Sequence, residues 1–361
     1  MIRQTLKDLF ANPLYYLLPF FVIAILLDYF EAPSGVILGA AAIAIIPVAG
    51  LIGEGTEAIA AQSGPRWGGL LNATFGNAAE LIISIMALRA GLLDLVKASI
   101  TGSIIGNLLV VLGLSMLAGG LKHGVLRFDK EKVTSDTVLL VLAVTALVIP
   151  SLFTQTSGGI DSVREIEFLS IGVASLMMAI YILGLFYGFK IENDGPFERK
   201  SAEGVIHEKR WSSRTAIVLL VVSMIAVVIL SEILVKQVEP TVASLGISEF
   251  FLGVILVPLI GNVSEHLVAV SVAMKNRMTL SVEIAVGSSL QIALFVTPVL
   301  VFVSLLFSNH LTLVFIPFEL IALIGTVWIA ALVAEDGKSN WLEGAVLISL
   351  YIIIALAFFF L

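Results

Sequence analysis

The feature that most constrains this chain is its succession of apolar runs, each about 20 residues long, which is the length an α-helix needs to cross the hydrocarbon core of a bilayer. Leu14 to Phe30 is the first of them, and such runs recur to the C-terminus of the 361 residues. In lipid only helices and closed barrels satisfy their own backbone, and these runs are too long for barrel strands. Composition agrees: 59% of residues are hydrophobic and 13% charged, where a soluble domain is nearer half and a quarter. The mean hydropathy is +1.07. The chain reads as an all-α polytopic membrane protein. With no cysteine, disulfides, thiolate catalysis and cysteine metal sites are excluded.

Apolar runs read against breakers predict eleven spans, at 12–30, 35–62, 67–89, 95–120, 136–153, 167–188, 214–236, 247–274, 279–307, 311–333 and 341–361. Positive charge tests the count. With the N-terminus in the cytoplasm and sides alternating, 16 of the 20 Lys and Arg fall on cytoplasmic segments, and only Arg89, Lys97, Arg164 and Lys236 fall outside. The C-terminus is then external. The polar stretch 188–214 is of mixed charge and reads as a cytoplasmic connector.

Two segments repeat. From Gly76 the chain reads GNAAELIISIMALRAGLLDLVKASITGSI, and from Gly261 GNVSEHLVAVSVAMKNRMTLSVEIAVGSS. At a constant offset of 185, Gly76, Asn77, Glu80, Leu95, Gly102 and Ser103 match Gly261, Asn262, Glu265, Leu280, Gly287 and Ser288. The domains follow: an extra N-terminal helix at 1–34, a first five-helix repeat at 35–188, the linker at 189–213, and a second repeat at 214–361. Five is odd, so the second copy enters the membrane from the opposite side. Inverted repeats of this kind place a binding site near the midplane between the copies.

Gly-Asn-x-x-Glu is costly at membrane depth. Glycine loosens a helix by about 1 kcal/mol, and Pro258 removes a backbone donor three residues before Gly261, so a broken or kinked helix is expected near 258–262. Asn and Glu three apart share a face. Two facing copies would offer Glu80, Glu265, Asn77, Asn262 and backbone carbonyls near Gly76 and Gly261, with Ser103, Ser288 and Gln291 from the following spans. An all-oxygen cage with two negative charges suits a hard divalent cation such as Ca²⁺. Without a cation the two carboxylates repel, and protonation discharges the site. Glu80 and Glu265 are therefore candidates for metal binding and proton coupling alike. His266 stands beside Glu265, where the first copy has Leu81, and is a further proton-coupling candidate. Glu54 and Glu57 are candidates for an entrance or gate. Glu232, Glu283 and Glu319 are weaker, with Glu283 read as paired to a basic loop residue.

These motifs resemble the calcium/proton exchangers of the calcium/cation antiporter superfamily, through GNAAELIISIMALRAG and through GNVSEH followed by GSSLQIALF. The resemblance extends over most of the chain and implies an antiporter that exchanges cytoplasmic Ca²⁺ for external protons by alternating access. It matches Glu80 and Glu265 to the family's ion-binding acids, and Asn77, Asn262, Ser103, Ser288, Gln291 and His266 to its supporting positions. Val263-Ser264 departs from the small pair common there. No cofactor is expected beyond the transported ions. The partners are Ca²⁺, protons and the lipid bilayer; nucleic acid is not expected, and a homo-oligomer is compatible. A bacterial or archaeal plasma membrane fits the compact chain. A sodium-coupled or broader divalent cation exchanger is the alternative. An enzyme is not expected, since neither His-Glu-x-x-His nor Gly-x-Ser-x-Gly occurs.

Overall fold

The computed structural model describes residues 12–156, 163–190 and 211–361. Arg3, Lys7 and most of the linker lie outside them. Nearly everything described is helical. Helix α1 (Pro13–Tyr29) is short and opens with a 3₁₀ turn. Then come α2 (Ser34–Phe75), α3 (Ala78–Ala90), α4 (Leu93–His123), α5 (Lys130–Thr156), α6 (Val163–Lys190), α7 (Ser213–Leu245), α8 (Glu249–Ala273), α9 (Met278–Ser304), α10 (Pro317–Ala334) and α11 (Trp341–Phe360). Among the described residues, 9 helices are long and apolar enough to cross a membrane.

The differences from the expected spans have local causes. The boundary expected at 62–67 falls inside one continuous helical element: α2 runs for 42 residues, about 63 Å if straight, twice the hydrocarbon thickness. It is not straight. A Cβ built on Gly68 would lie 2.7 Å from the Ala60 carbonyl oxygen, whereas positions eight apart on a straight helix are separated by about 12 Å. The chain doubles back between them, near the expected turn. The true break falls later, at Gly76-Asn77, within the motif. In the second copy the order is reversed: α8 has a π-helical stretch at Leu252–Leu256 and then continues unbroken through Pro258 and Gly261. Pro258 comes just after that stretch. The break or kink expected at 258–262 is not seen as a helix interruption there; the departure from α-helical bonding lies upstream, at Leu252–Leu256.

The tenth span also starts later than 311. Pro317 fixes the first turn of α10 and holds Ile316 extended. The preceding residues take their backbone bonds from serines. Leu311, Leu313 and Phe315 donate N–H to the hydroxyls of Ser304, Ser170 and Ser151 at 2.8, 3.0 and 2.9 Å. Glu319 is buried but structural, accepting the Ile316 N–H at 3.1 Å through Oε2.

Burial sorts the helices. The most apolar windows of α4 and α9 are 72% buried, those of α6 and α11 only 22%. Helices α4 and α9 are therefore central, and α6 and α11 present their apolar faces outward, as lipid allows. Both central helices carry π-helical stretches, Gly106–Val111 and Ile292–Val296, which correspond at the 185-residue offset. Small residues let α4 meet α8 closely, for a Cβ on Gly102 would fall 2.5 Å from the Val254 Cα.

The connections form two sets of contacts. One set joins Asp28 to Lys236 (3.1 Å), Glu249 to the Leu95 N–H (3.2 Å), Glu167 to His310 (2.6 Å) and Lys97 to the Val314 carbonyl (3.2 Å). The other joins Gln62 to Trp211, His123 to Met274 and Asp129 to Thr279. It also includes a two-stranded antiparallel ribbon, β1 (Leu126–Arg127) with β2 (Lys338–Ser339). On the orientation expected from the charge pattern, the first set would lie outside and the second in the cytoplasm.

Candidate functional site

Helices α3, α4, α8 and α9 bring the two motif copies together. Asn77 stands at the break between α2 and α3, so its side chain makes no bond to its own helix and turns toward α9. It donates through Nδ2 to Gln291 Oε1 at 2.7 Å and accepts the Ser288 hydroxyl at 3.3 Å through Oδ1. All three side chains are at most 1% exposed.

One turn along α3, Glu80 is 3% exposed. Its carboxyl group lies over Gly261 of the other copy: a Cβ there would be 3.0 Å from Glu80 Oε1 and 3.1 Å from both Cδ and Cγ. Gly261 therefore makes room for the first copy's acid, and does not open its own helix as expected. Glu265 follows Gly261 by one helical turn, about 6 Å of rise, and is half-buried. The two acids thus belong to one neighbourhood although 185 residues separate them. Among the described residues no three His, Cys, Asp or Glu side chains gather into a metal cluster, so a cation held here would draw on two carboxylates plus neutral oxygens.

The second copy is built differently. Asn262 is 1% exposed, and neither its Oδ1 nor its Nδ2 has a hydrogen-bond partner among the described residues. It lines a small cleft with Ser103, Gly106, Asn107, Pro258, His266 and Tyr351. Sequence reasoning missed Tyr351 and Gly106. Tyr351 lies far from either motif, and nothing in the sequence points to it. Gly106 carried a signal, because it occupies the 185-residue counterpart of Gln291. Glu54 and Glu57 lie on α2, half-buried and exposed respectively. Gly76 caps α2. Glu283 is 8% exposed and Glu232 exposed.

Comparison with known proteins identifies the family and the fold. The family model described as sodium/calcium exchanger protein matches residues 33–190 and 215–360. A Ca²⁺/H⁺ antiporter of Aphanothece halophytica is 46% identical over 332 residues, covering 89% of each chain. The Ca²⁺/H⁺ antiporter ChaA of Bacillus subtilis (strain 168) is 42% identical, covering 91% of this chain and 93% of that one. Among solved structures, native YfkE superposes with a TM-score of 0.83 at 38% identity, covering 96% of this chain and 100% of that chain. A structure of the H⁺/Ca²⁺ exchanger CAX reaches 0.69 at 17% identity over 96% of this chain and 91% of that chain, which bears on the fold alone.

Proposed function

This chain belongs to the calcium/proton exchanger branch of the sodium/calcium exchanger family, and from that premise we propose that it is a secondary active antiporter carrying Ca²⁺ out of the cytoplasm against protons moving in. The relatives named as Ca²⁺/H⁺ antiporters support the substrates. The observation that carries the mechanism is the seating of the Glu80 carboxyl on Gly261, one turn from Glu265.

Two carboxylates in a low-dielectric site repel unless a positive charge lies between them. A divalent cation supplies that charge in one occupant, and bound protons supply it in another. Because both occupants use the same oxygens, the site holds one or the other, and alternating exposure turns this exclusion into exchange. Asn262 Oδ1 is the neutral oxygen best placed to join the carboxylates, since Asn77 already holds the Ser288 hydroxyl.

We keep the eleven-span, inverted-repeat arrangement, with the copies at 35–188 and 214–361. Parity supports it. Gln62 hydrogen-bonds to Trp211, so an even number of crossings separates them. Helices α4, α5 and α6 supply three, and the fourth is the stretch from the turn after Gln62 through α3. The Asp28–Lys236 pair requires the same evenness across α2 to α7. The matched π-helical stretches of α4 and α9 fit two copies of one unit. The protein then lies in a bacterial-type plasma membrane with its N-terminus inside, and Glu54 and Glu57 fall toward the cytoplasmic end of α2, where they can draw cations to an entrance.

The test is ⁴⁵Ca²⁺ uptake into sodium-free proteoliposomes under an imposed pH gradient. Glu80→Gln and Glu265→Gln should each abolish it. Parent-like transport by either variant would sink the shared-carboxylate mechanism, and uptake that follows a Na⁺ gradient instead would favour sodium coupling.

A further inference from the structure

The two halves of the site treat equivalent asparagines unequally. In the first, the Asn77 amide is held by Gln291 and Ser288. In the second, Ser103 is present, but the counterpart of Gln291 is Gly106, which has no side chain to offer. A Cβ built on Gly106 meets nothing within 4 Å, so the space a glutamine would fill is open. Four buried polar atoms with no hydrogen-bond partner among the described residues belong to its lining side chains: Asn262 Oδ1 and Nδ2, Asn107 Nδ2 and His266 Nε2. Tyr351 of α11 also lines it.

Buried amides are rarely left unbonded, because an unmade hydrogen bond costs about 1–3 kcal/mol for each group. The cleft, lined by both polar and apolar side chains, has a cavity volume of about 10 Å³, the space of about one water molecule. We infer that this cleft is a built water site: ordered water fills, in the second half, the place that the Gln291 side chain fills in the first. The hydrated cation meets Asn262 from this side. The first half is rigid, closed by protein on protein. The second exchanges partners readily, as a half must where an ion sheds and regains its hydration shell. The water site stands on the geometry alone; the cation's approach rests on Asn262 being a ligand, as proposed above.

The absence of native cysteine makes the test clean. Gly106→Cys and Tyr351→Cys are purified intact in detergent and treated with a small water-soluble thiosulfonate, with Leu109→Cys as a control in the fully buried apolar packing. Both cleft cysteines should label at least about 10-fold faster than the control, because thiol reactivity follows access to water. Added Ca²⁺ should slow labelling at position 106. If neither cleft cysteine labels in monodisperse protein, the water site is wrong. If both label and Ca²⁺ changes nothing while the parent still binds ⁴⁵Ca²⁺, the cation does not approach from this side. A parent that binds no ⁴⁵Ca²⁺ counts against the exchanger reading and leaves the labelling to decide the water site.

Discussion

The substitution Gly261→Ala tests the cross-copy contact with a single methyl group. Its Cβ would stand 3.0–3.1 Å from three atoms of Glu80, where carbon contacts are comfortable at about 3.5–4.0 Å. The deficit is about half an ångström. Glu80 cannot absorb it by moving into solvent, because it is 3% exposed and its neighbours Ala78, Ala79 and Ile83 are buried as deeply. Either α3 and α8 separate, at a cost of about 1–3 kcal/mol, or the carboxyl group turns aside. Calcium–oxygen distances span only about 0.3 Å, so both responses spoil a ligand position. The expected result is a Michaelis constant for Ca²⁺ raised about 10- to 100-fold, or about 1.4–2.8 kcal/mol, in pH-driven ⁴⁵Ca²⁺ uptake. Gly287→Ala is the control. It adds the same methyl to a buried glycine where nothing lies within 4 Å, and should stay within about twofold of the parent. A Gly261→Ala protein that is monodisperse and binds Ca²⁺ as the parent does would refute the placement of Glu80 on Gly261.

Gln291→Ala strips the 2.7 Å acceptor from buried Asn77 and should lower exchange about 10-fold, while Gln291→Glu, which keeps an acceptor, should lower it less; equal loss in both would point to a steric cause. Gly102→Ala pushes a methyl onto the Val254 backbone and should destabilise the fold by about 1–3 kcal/mol, read as a lower thermal midpoint, with an unchanged midpoint arguing against the crossing. Lowering pH equally on both sides should slow Ca²⁺-for-Ca²⁺ exchange, because protons occupy the same carboxylates; a pH-independent rate from neutral to acid conditions would contradict shared occupancy. Single cysteines at Gln62 and Gly91 should label from opposite faces of the membrane, and labelling from one face would break the parity argument.

The helices were legible because lipid leaves the backbone one economical solution, and the run lengths follow from bilayer thickness. Charge sorting counts crossings independently, and the loop contacts Asp28–Lys236 and Gln62–Trp211 are compatible with the parity of that count, though a contact does not say which side is cytoplasmic. The late start of α10 was also written in the sequence, since Pro317 forces a helix to begin and the residue before it to be extended; apolar content alone hid it. What a linear reading could not supply was partnership. A glycine in a motif announces that something needs space, without saying what. Gly76 lies at a helix break and Gly261 admits a carboxyl group from the other copy, so identical letters at identical offsets do different work. Asn77 and Asn262 diverge in the same way. Their difference comes from Gln291 and Gly106, each one helix away, and the bond that distinguishes them spans 214 residues. The 185-residue offset pairs Gln291 with Gly106 before any coordinates exist. Inequality between equivalent positions is therefore where a repeat sequence tells most about which half of a site is held by protein and which is left to solvent.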